Sequence, residues 1–459
     1  MDLSPALLER YDRPGPRYTS YPTAIEFTED FQADAYADRL SAYSANPGAP
    51  LSLYVHIPFC ESRCSFCACH VVVTKRGSIA DAYLSRLERE AEIVAQHLGE
   101  GRPLLQYHWG GGTPTYYPPE TLVRLHRSLT RWFDIQPGAE IAAEVDPRVT
   151  TPEHLATMRD LGFNRLSFGV QDFDPTVQEL IGRGQTAEET IELYNTAREL
   201  GYTSINLDLV YGLPGQTEDT MTATLDTVIA LRPDRLAIYS FAYVPWMRPH
   251  QRRIPEQDVP SRELKFQLLS MITAQLTSAG YRSIGMDHFA LPEDELSTAA
   301  DAGTLTRNFM GYSTQSGAGV VALGTSGISD ISGAYAQNHR RLADYYTAVD
   351  AGELPVERGY RLTDDDLMRR YIITELMCNG RVCYTDVAER FDVDFATTFA
   401  TELDVLNAPD GLVREGMVEL RDGAIEATDL GRMFIRSVAR VFDAHTKNRS
   451  DKPMFSKSI

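Results

Sequence analysis

The chain has 459 residues, with 44 Lys and Arg against 64 Asp and Glu, a formal net charge of −20 and six cysteines. Apolar residues are 43% and charged residues 24%, the mixture of a folded globular chain, which excludes disorder as the main state. A general binder of nucleic acid or of an anionic membrane presents a basic face, so the acidity argues against both and reads as solubility.

Met1 to Arg10 carries Asp2 and Glu9 and no long apolar stretch, so a secretory signal is not expected. No later run has the roughly 18 apolar residues of a membrane span. The expectation is a cytoplasmic chain whose thiols stay reduced. Residues 1–50 read as an arm, with Pro14, Pro16 and Pro22 around Arg17-Tyr18-Thr19-Ser20-Tyr21 and a helix near Phe31 to Ala42. Strands are expected at Leu51 to Ile57, Leu104 to His108, Glu140 to Val145, Asn164 to Phe168, Ser204 to Leu209 and Arg235 to Ser240. Helices alternate with them: Ala80 to Leu98, Glu120 to Trp132, one opened by Thr151-Pro152, one by Asp174-Pro175, one from a Thr186/Glu189 capping box to Gly201, then Glu218 to Leu231 and Arg262 to Ala279. Such alternation means a parallel sheet with covering helices, and fits a barrel or an open sheet equally. In either, chemistry sits at the carboxyl ends of the strands. Asn308 to Gly333 reads as loops. From Leu362 the order is helix, helix, helix, hairpin, helix, which is winged-helix-like; Asp364, Asp365, Asp366, Asp392 and Asp394 oppose DNA binding there.

Four cysteines, Cys60, Cys64, Cys67 and Cys69, follow the first strand as C-x3-C-x2-C-x-C. Clustered thiols in a reducing compartment point to a metal or an iron–sulfur cluster. Zinc usually takes two separated pairs; none follows, although His70 is a possible ligand and Cys378 and Cys383 lie in the C-terminal helices. C-x3-C-x2-C is the radical S-adenosylmethionine (SAM) signature. In that chemistry three thiolates hold a 4Fe-4S cluster and leave one iron open for SAM.

The other candidates lie at strand ends. Gly110-Gly111-Gly112-Thr113 allows close backbone approach. Glu144 can hold an ammonium group; Asp146 reads as a helix N-cap. Gln171 ends the fourth strand, Arg183 can pair with a carboxylate, and Asp208 can accept from ribose hydroxyls. Phe66 beside Cys67 fits an adenine neighbour. Tyr54 reads as a core aromatic or a site residue, and Trp246 to Arg253 as a lid or a connection.

The chain resembles the oxygen-independent coproporphyrinogen III oxidases, a radical SAM family, over nearly its whole length. The landmarks are Pro16 to Thr23, Tyr54 to Cys60, Gly111 to Thr115, Gly169 to Phe173, Asp208 to Pro214, Gly285 to Ala290, Arg307-Asn308-Phe309 and Phe455-Ser456. The resemblance implies an α/β partial (β/α)6 TIM-type barrel over 51–355, and a mainly helical, winged-helix-like domain over 356–459. It implies that Cys60, Cys64 and Cys67 bind a 4Fe-4S cluster while Cys69 stays off it. Two SAM molecules would bind, with contacts at Tyr54, Phe66, Gly111, Gly112, Thr113, Glu144, Gln171, Arg183, Asp208, Ala242 and Ile328. Tyr54, Glu144, Phe309 and Ile328 would serve catalysis. The implied reaction turns two propionates of coproporphyrinogen III into vinyl groups, in a monomer served by an external electron donor and acceptor. Arg17, Arg165, Arg248 and Arg307 are candidates for the substrate carboxylates. The sequence departs at Ala68, where the family has glycine, and at Met310, where it has glutamine. A haem-trafficking relative lacks both Cys69 and the Arg-Tyr-Thr-Ser-Tyr-Pro arm, which favours the oxidase; a zinc-stabilised interaction protein is the third reading.

Overall fold

The computed structural model describes residues 10–11, 15–421 and 423–446; Pro14 and Phe455-Ser456 lie outside them. The chain forms two units, one of Phe27–Tyr281 with Gly317–Arg361, the other of the chain up to Glu26, Arg282–Ser316 and the chain from Leu362.

The first unit is built on ten strands: β1 Leu51–Ile57, β2 Arg102–Gly111, β3 Phe133–Val145, β4 Arg165–Gln171, β5 Ser204–Tyr211, β6 Arg235–Ser240, β7 Gly319–Leu323, β8 Ile328–Ile331, β9 Ala334–Asn338 and β10 Val356–Arg361. Their order is β10-β9-β8-β7-β1-β2-β3-β4-β5-β6. From β7 to β6 all pairings are parallel, and β8 to β10 add an antiparallel edge. The helices between β1 and β6, with one after β6, are α2 Gly77–Leu98, α3 Pro119–Thr130, α4 Pro152–Asp160, α5 Pro175–Leu180, α6 Ala187–Glu199, α7 Glu218–Leu231 and α8 Arg262–Ser278; α1 Ala33–Ser44 precedes β1 and α9 Leu342–Asp350 precedes β10. In α2 the buried positions Leu84, Leu87, Ala91, Val94 and Leu98 recur at helical spacing, so one stripe lies against the sheet. Thr186 closes with Glu189 the capping box its spacing predicts, and Thr151, read as an N-cap, forms a further box with His154. Asp174 accepts the Thr176 and Val177 N–H groups.

Two expectations change here. Asn308 to Gly333 is not loop: it holds one strand of a small hairpin, Thr306–Asn308 with Gly311–Ser313, and both β7 and β8. The five residues of β7 are all buried, and so short an apolar run between glycines carries no readable period. Asp146 caps no helix; the cap is Thr151.

The second unit follows a winged-helix order. Helix Asp364–Asn379 precedes strand Arg381–Cys383, helices Tyr384–Phe391, Phe395–Thr398 and Ala400–Asn407, and the hairpin Val418–Arg421/Ala424–Ala427. Cys383 therefore lies in a strand, not a helix. The last helix is broken at Phe434 into Asp429–Met433 and Ile435–Arg440. The acidic run is explained locally: Thr363 and Asp366 form a capping box, and anionic side chains favour a helix N-terminus. The Pro-rich arm is strapped to the same unit, with Tyr18 Oη donating to Asp443 at 2.9 Å and Arg436 Nε to the Pro16 carbonyl at 2.9 Å.

One buried carboxylate fastens the far end of β7. Glu90 of α2 accepts the Gly324 N–H (2.7 Å), Asn338 Nδ2 (2.6 Å) and Tyr345 Oη (2.6 Å). Tyr83 Oη accepts the Thr325 N–H at 3.0 Å and donates to the His56 carbonyl at 2.7 Å. Glu90→Ala removes the acceptor of three buried hydrogen bonds, leaving the Gly324 N–H and Tyr345 Oη unpaired while Asn338 Nδ2 keeps the Gly324 carbonyl, and is expected to lower stability by about 3 kcal/mol or more, read from denaturant midpoints.

Candidate active site

The cysteine loop is held at its neck. Pro58 ends β1, and Phe59-Cys60 pairs in parallel with Val72-Val73. Phe59 is buried, edge-on to Tyr83 and Tyr117. Further out, Ser65 N–H donates to the Ile181 carbonyl at 2.8 Å and Arg63 Nη2 to the Val71 carbonyl at 2.9 Å. The segment Trp246 to Arg253 is more than a solvated connection: it braces this loop. His250 Nε2 donates to the Cys67 carbonyl at 2.8 Å, and Gln251 Nε2 reaches the Phe66 and Ala242 carbonyls at 3.3 and 3.0 Å.

The glycine turn is dictated by what stands against it. A Cβ on Gly110 would fall 2.6 Å from Glu144 Oε1. Gly111 has φ +117°, and a Cβ there would fall 2.6 Å from the His56 ring. The Gly111 N–H donates to Glu144 Oε2 at 2.9 Å. Gly112 and Thr113 N–H groups donate to the Ile57 and Phe59 carbonyls. These three N–H groups are therefore all committed to acceptors within the chain.

Register puts the polar side chains on one face. Tyr54 lies opposite His108, and Ser167 opposite both Glu144 and Asn206. Since side chains alternate along a strand, His56, Gly110 and Asp208 share that face. Tyr54 stacks on His108 with centroids 5.8 Å apart, and His108 Nε2 stands 3.5 Å from Glu144 Oε1. Burial alone would raise the Glu144 pKa; the His108 and Gly111 contacts hold it below the usual carboxylate value. Asp208 accepts from Ser167 Oγ (2.9 Å) and Asn206 Nδ2 (2.8 Å). Burial, then the charge of Glu144, pushes its pKa up to about 6.

At the end of β3 a triad of charges meets the cysteines. Asp146 is bound by Arg148 Nη2 at 2.6 Å and Arg183 Nη2 at 3.1 Å. These two guanidiniums also reach Cys64 Sγ, at 3.7 and 3.6 Å. Burial works against ionisation of Asp146, yet Arg183 and Arg148 hold its pKa below the usual range. The carboxylate that Arg183 pairs with is thus supplied by the chain itself. Gly169 makes room: a Cβ there would lie 3.0 Å from Gln171 Nε2 and 3.1 Å from Arg183 Nη2. Gln171 has φ +72°, unusual for a side-chain-bearing residue and typical of functional strand ends.

These groups enclose a cavity of about 380 Å3. Of the candidate residues, Cys60, Cys64, Phe66, Cys67, Gly111, Gly112, Thr113, Glu144, Gln171, Arg183, Asp208 and Ala242 all line it, and so does Cys69. Three predicted residues do not. Tyr54 contacts the site through His108, Ile328 opens β8, and Phe309 lies in the second unit, in the turn of the small hairpin. In place of a glutamine side chain, Met310 offers a backbone N–H, bound by Asn308 Oδ1 at 2.9 Å. Arg148, His108, His56, His250 and Gln251 were missed; only His56, two residues from Tyr54 on one strand face, left a signal.

The cavity chemistry fits an iron–sulfur cluster. Four free thiols, Cys60, Cys64, Cys67 and Cys69, line the cavity, beside two guanidiniums suited to an anionic group. Among the described residues, no three His, Cys, Asp or Glu side chains form a group able to hold a single ion.

The radical SAM superfamily profile matches residues 54–228, and the HemN C-terminal domain profile matches residues 362–434. The oxygen-independent coproporphyrinogen III oxidase of Escherichia coli is 44% identical over 459 residues, covering all of this chain and 99% of that one. The chain belongs to the oxygen-independent coproporphyrinogen III oxidase family. The Pseudomonas aeruginosa member is 45% identical over 99% of this chain and 98% of its own. The solved structure of the Escherichia coli family member, described as a radical SAM enzyme, superposes with a TM-score of 0.91 at 44% identity and covers 97% of this chain and 99% of that chain. Radical SAM enzymes use a 4Fe-4S cluster and SAM, as the cysteine spacing predicts. Among the described residues no helix is long and apolar enough to cross a membrane.

His56 gives the site a pH signature. Its Nε2 faces the His70 carbonyl at 3.1 Å and so carries the hydrogen, leaving Nδ1 to accept from Tyr54 Oη at 3.1 Å. Burial lowers its pKa to about 4, against about 6.5 in the unfolded chain. The unfolded chain therefore takes up the proton first. This contribution is full above pH 6.5 and is lost as pH falls toward 4, by about 3 kcal/mol at most. Unfolding free energies at pH 7 and pH 4.5 are expected to differ less in His56→Gln than in the wild type.

Proposed function

We propose that the protein converts coproporphyrinogen III to protoporphyrinogen IX by oxidative decarboxylation of two propionate side chains to vinyl groups. The observation that carries this reading is the meeting, in one cavity, of Cys60, Cys64 and Cys67 with the Arg148–Asp146–Arg183 triad and the glycine turn. Full-length similarity to the coproporphyrinogen III oxidases supplies the substrate.

In this reading Cys60, Cys64 and Cys67 hold the cluster, and Cys69 stays off it. A 4Fe-4S cluster with bound SAM supplies, when both are present, one-electron reductive cleavage of SAM and a carbon radical able to abstract hydrogen. Gly111 and Gly112 present carbonyls to the SAM ammonium group, and Glu144 adds negative charge beside them. Asp208 accepts from the ribose hydroxyls. Phe66, packed against an apolar cluster that includes Val177, Ile181 and Phe241, gives the adenine an apolar neighbour. Gln171 and Arg183 bound the polar side, with Arg183 held by Asp146. The second SAM, the roles of Tyr54, Phe309 and Ile328 in catalysis, the monomeric state and the cytoplasmic location rest on the family resemblance. For each propionate the substrate loses one hydrogen atom from the β-carbon, carbon dioxide and one electron. That electron leaves to an external acceptor, as the reducing electron comes from an external donor.

Two measurements test this. Anaerobic protein reconstituted with iron and sulfide, given SAM, a reductant and coproporphyrinogen III, is expected to form protoporphyrinogen, 5′-deoxyadenosine and methionine. SAM cleavage with no porphyrin product moves the substrate elsewhere, and a colourless, metal-replete preparation refutes the cluster. Separately, Cys64→Ser is expected to abolish iron binding while Cys69→Ser leaves iron content nearly unchanged; equal loss in both defeats the three-ligand assignment.

A further inference from the structure

The cysteine loop has a second side. Cys60 to Cys69 contribute to the first cavity, but the next residue, His70, lines a larger one of about 830 Å3. Ligand cavities span roughly 300–1,000 Å3. Its walls are His70 from the cysteine loop, Arg248 from the brace after β6, Ser326 before β8, Gln337 and His339 at the end of β9, Arg340 and Arg341 after it, and Glu357 and Arg358 of β10; Glu29, Gln32 and Asp344 complete it.

The charges here divide into spent and unspent. Arg340 is bound in a fork by Glu357, with contacts of 2.5 to 3.1 Å, and Arg341 stands 3.7 Å from Asp344. Arg358 is different. Its Nε donates to Gln337 Oε1 at 2.7 Å, and the guanidinium lies 5.9 Å from the centre of the Phe27 ring, but among the described residues no carboxylate reaches it within ion-pair distance. Glu357 and Glu29 act on it only at longer range, and burial with the like charge of Arg340 pulls its pKa below the usual arginine value. Arg248 lines the same cavity without a side-chain hydrogen bond or ion pair among the described residues. The buried Nε2 of His70 also has no hydrogen-bond partner among them. Two guanidiniums without a bound carboxylate, in a chain of net charge −20, lie beside the loop that carries the cluster ligands. Such planar forks match carboxylate geometry.

Resting on the proposed function, we infer that this second cavity binds a propionate carboxylate of the substrate that the reaction leaves in place, through Arg248 and Arg358. The reacting propionate must reach the first cavity, and a tetracarboxylate held at one corner needs a second point to fix its orientation. Gln337 positions the Arg358 fork. Ser326 sits on the loop fastened by Glu90 and Tyr83, so this wall is braced from α2. The other arginines considered from sequence are engaged elsewhere. Arg165 pairs with Glu140 at 3.2 Å, Arg17 with Asp287, and Arg307 donates to the Arg17 carbonyl at 2.8 Å.

The test uses reconstituted holoprotein under anaerobic conditions and two fluorescent porphyrins, coproporphyrin III with four propionates and mesoporphyrin IX with two. The wild type is expected to bind the first more tightly. Arg248→Ala/Arg358→Ala should lose about tenfold or more of that affinity, and most of the preference. In turnover its KM should rise more than its kcat falls, and Arg358→Lys should recover part of the loss. Unchanged porphyrin affinity in the double variant, with wild-type turnover intact, overturns the inference and leaves the proposed function standing. A fall in SAM affinity in place of porphyrin affinity assigns the cavity to a SAM carboxylate and also overturns it. A wild type that binds neither porphyrin and does not convert coproporphyrinogen III refutes the proposed function, and this inference with it.

Discussion

The charge triad beside Cys64 is the constraint around which the site is organised. Arg183 and Asp146 keep only 7% and 10% of their side-chain surface in contact with solvent. Two guanidiniums against one carboxylate leave an excess positive charge in a place where an uncompensated ion costs several kcal/mol. The triad is therefore poorly balanced unless an anionic group lies next to it. A thiolate-bound cluster is such a group, and Cys64 Sγ is the atom both guanidiniums reach. The same triad draws the end of β3, the loop after α5 and the cysteine loop together, because each supplies one of its contacts. Gly169 is small for the same reason, since Arg183 crosses directly over it.

The rest of the site follows from strand register. Parallel strands deliver their polar residues to one face at the same height, so Tyr54, His108, Glu144, Ser167 and Asp208 form one network without any long loop to place them. The opposite face carries Val55, Trp109, Ala143, Phe168 and Leu207, all buried. A slip of one residue in any strand would exchange the two sets. The two carboxylates at this face differ as their surroundings dictate. Glu144 has His108 and a backbone N–H and stays below its usual pKa, whereas Asp208, facing Glu144, rises to about 6. That asymmetry suits one site that bears charge and another that exchanges hydrogen bonds with neutral hydroxyls.

Most of this was legible in the sequence, and the failures have physical causes. The alternation of strands and helices from Leu51 to Ala279 was readable because each unit has its own period and its own caps, such as Thr151 and Thr186. The cavity residues were readable because cysteine spacing and strand-end polar residues are local features. β7 was lost because five buried residues between glycines show no period. Asp146 was misread because one acidic residue before a turn looks like a cap, and its partner Arg183 lies 37 positions away. The brace from His250 and Gln251 was invisible for the same reason: it joins Cys67 and Phe66 across more than 180 positions. Periodicity reports neighbours along the chain, and these contacts are neighbours only in space.

Net charge and recognition then separate by distance. A chain of charge −20 repels a substrate with four carboxylates, but salt confines that repulsion to about 8 Å in physiological solution. Closer in, individual guanidiniums decide. Their setting also bears on a reaction performed twice on one molecule. If both decarboxylations of the proposed reaction draw on one radical source, the second propionate has to be brought to it, and the substrate has to let go and turn. A deeply buried ion pair would resist that step, because separating it strands two charges out of water. Arg248 is exposed and Arg358 half-buried, so solvent can replace a departing carboxylate at both. Anchors of this kind would hold orientation for one turnover and still permit the reorientation that the next requires, while Arg148 and Arg183 stay paired with Asp146 beside Cys64.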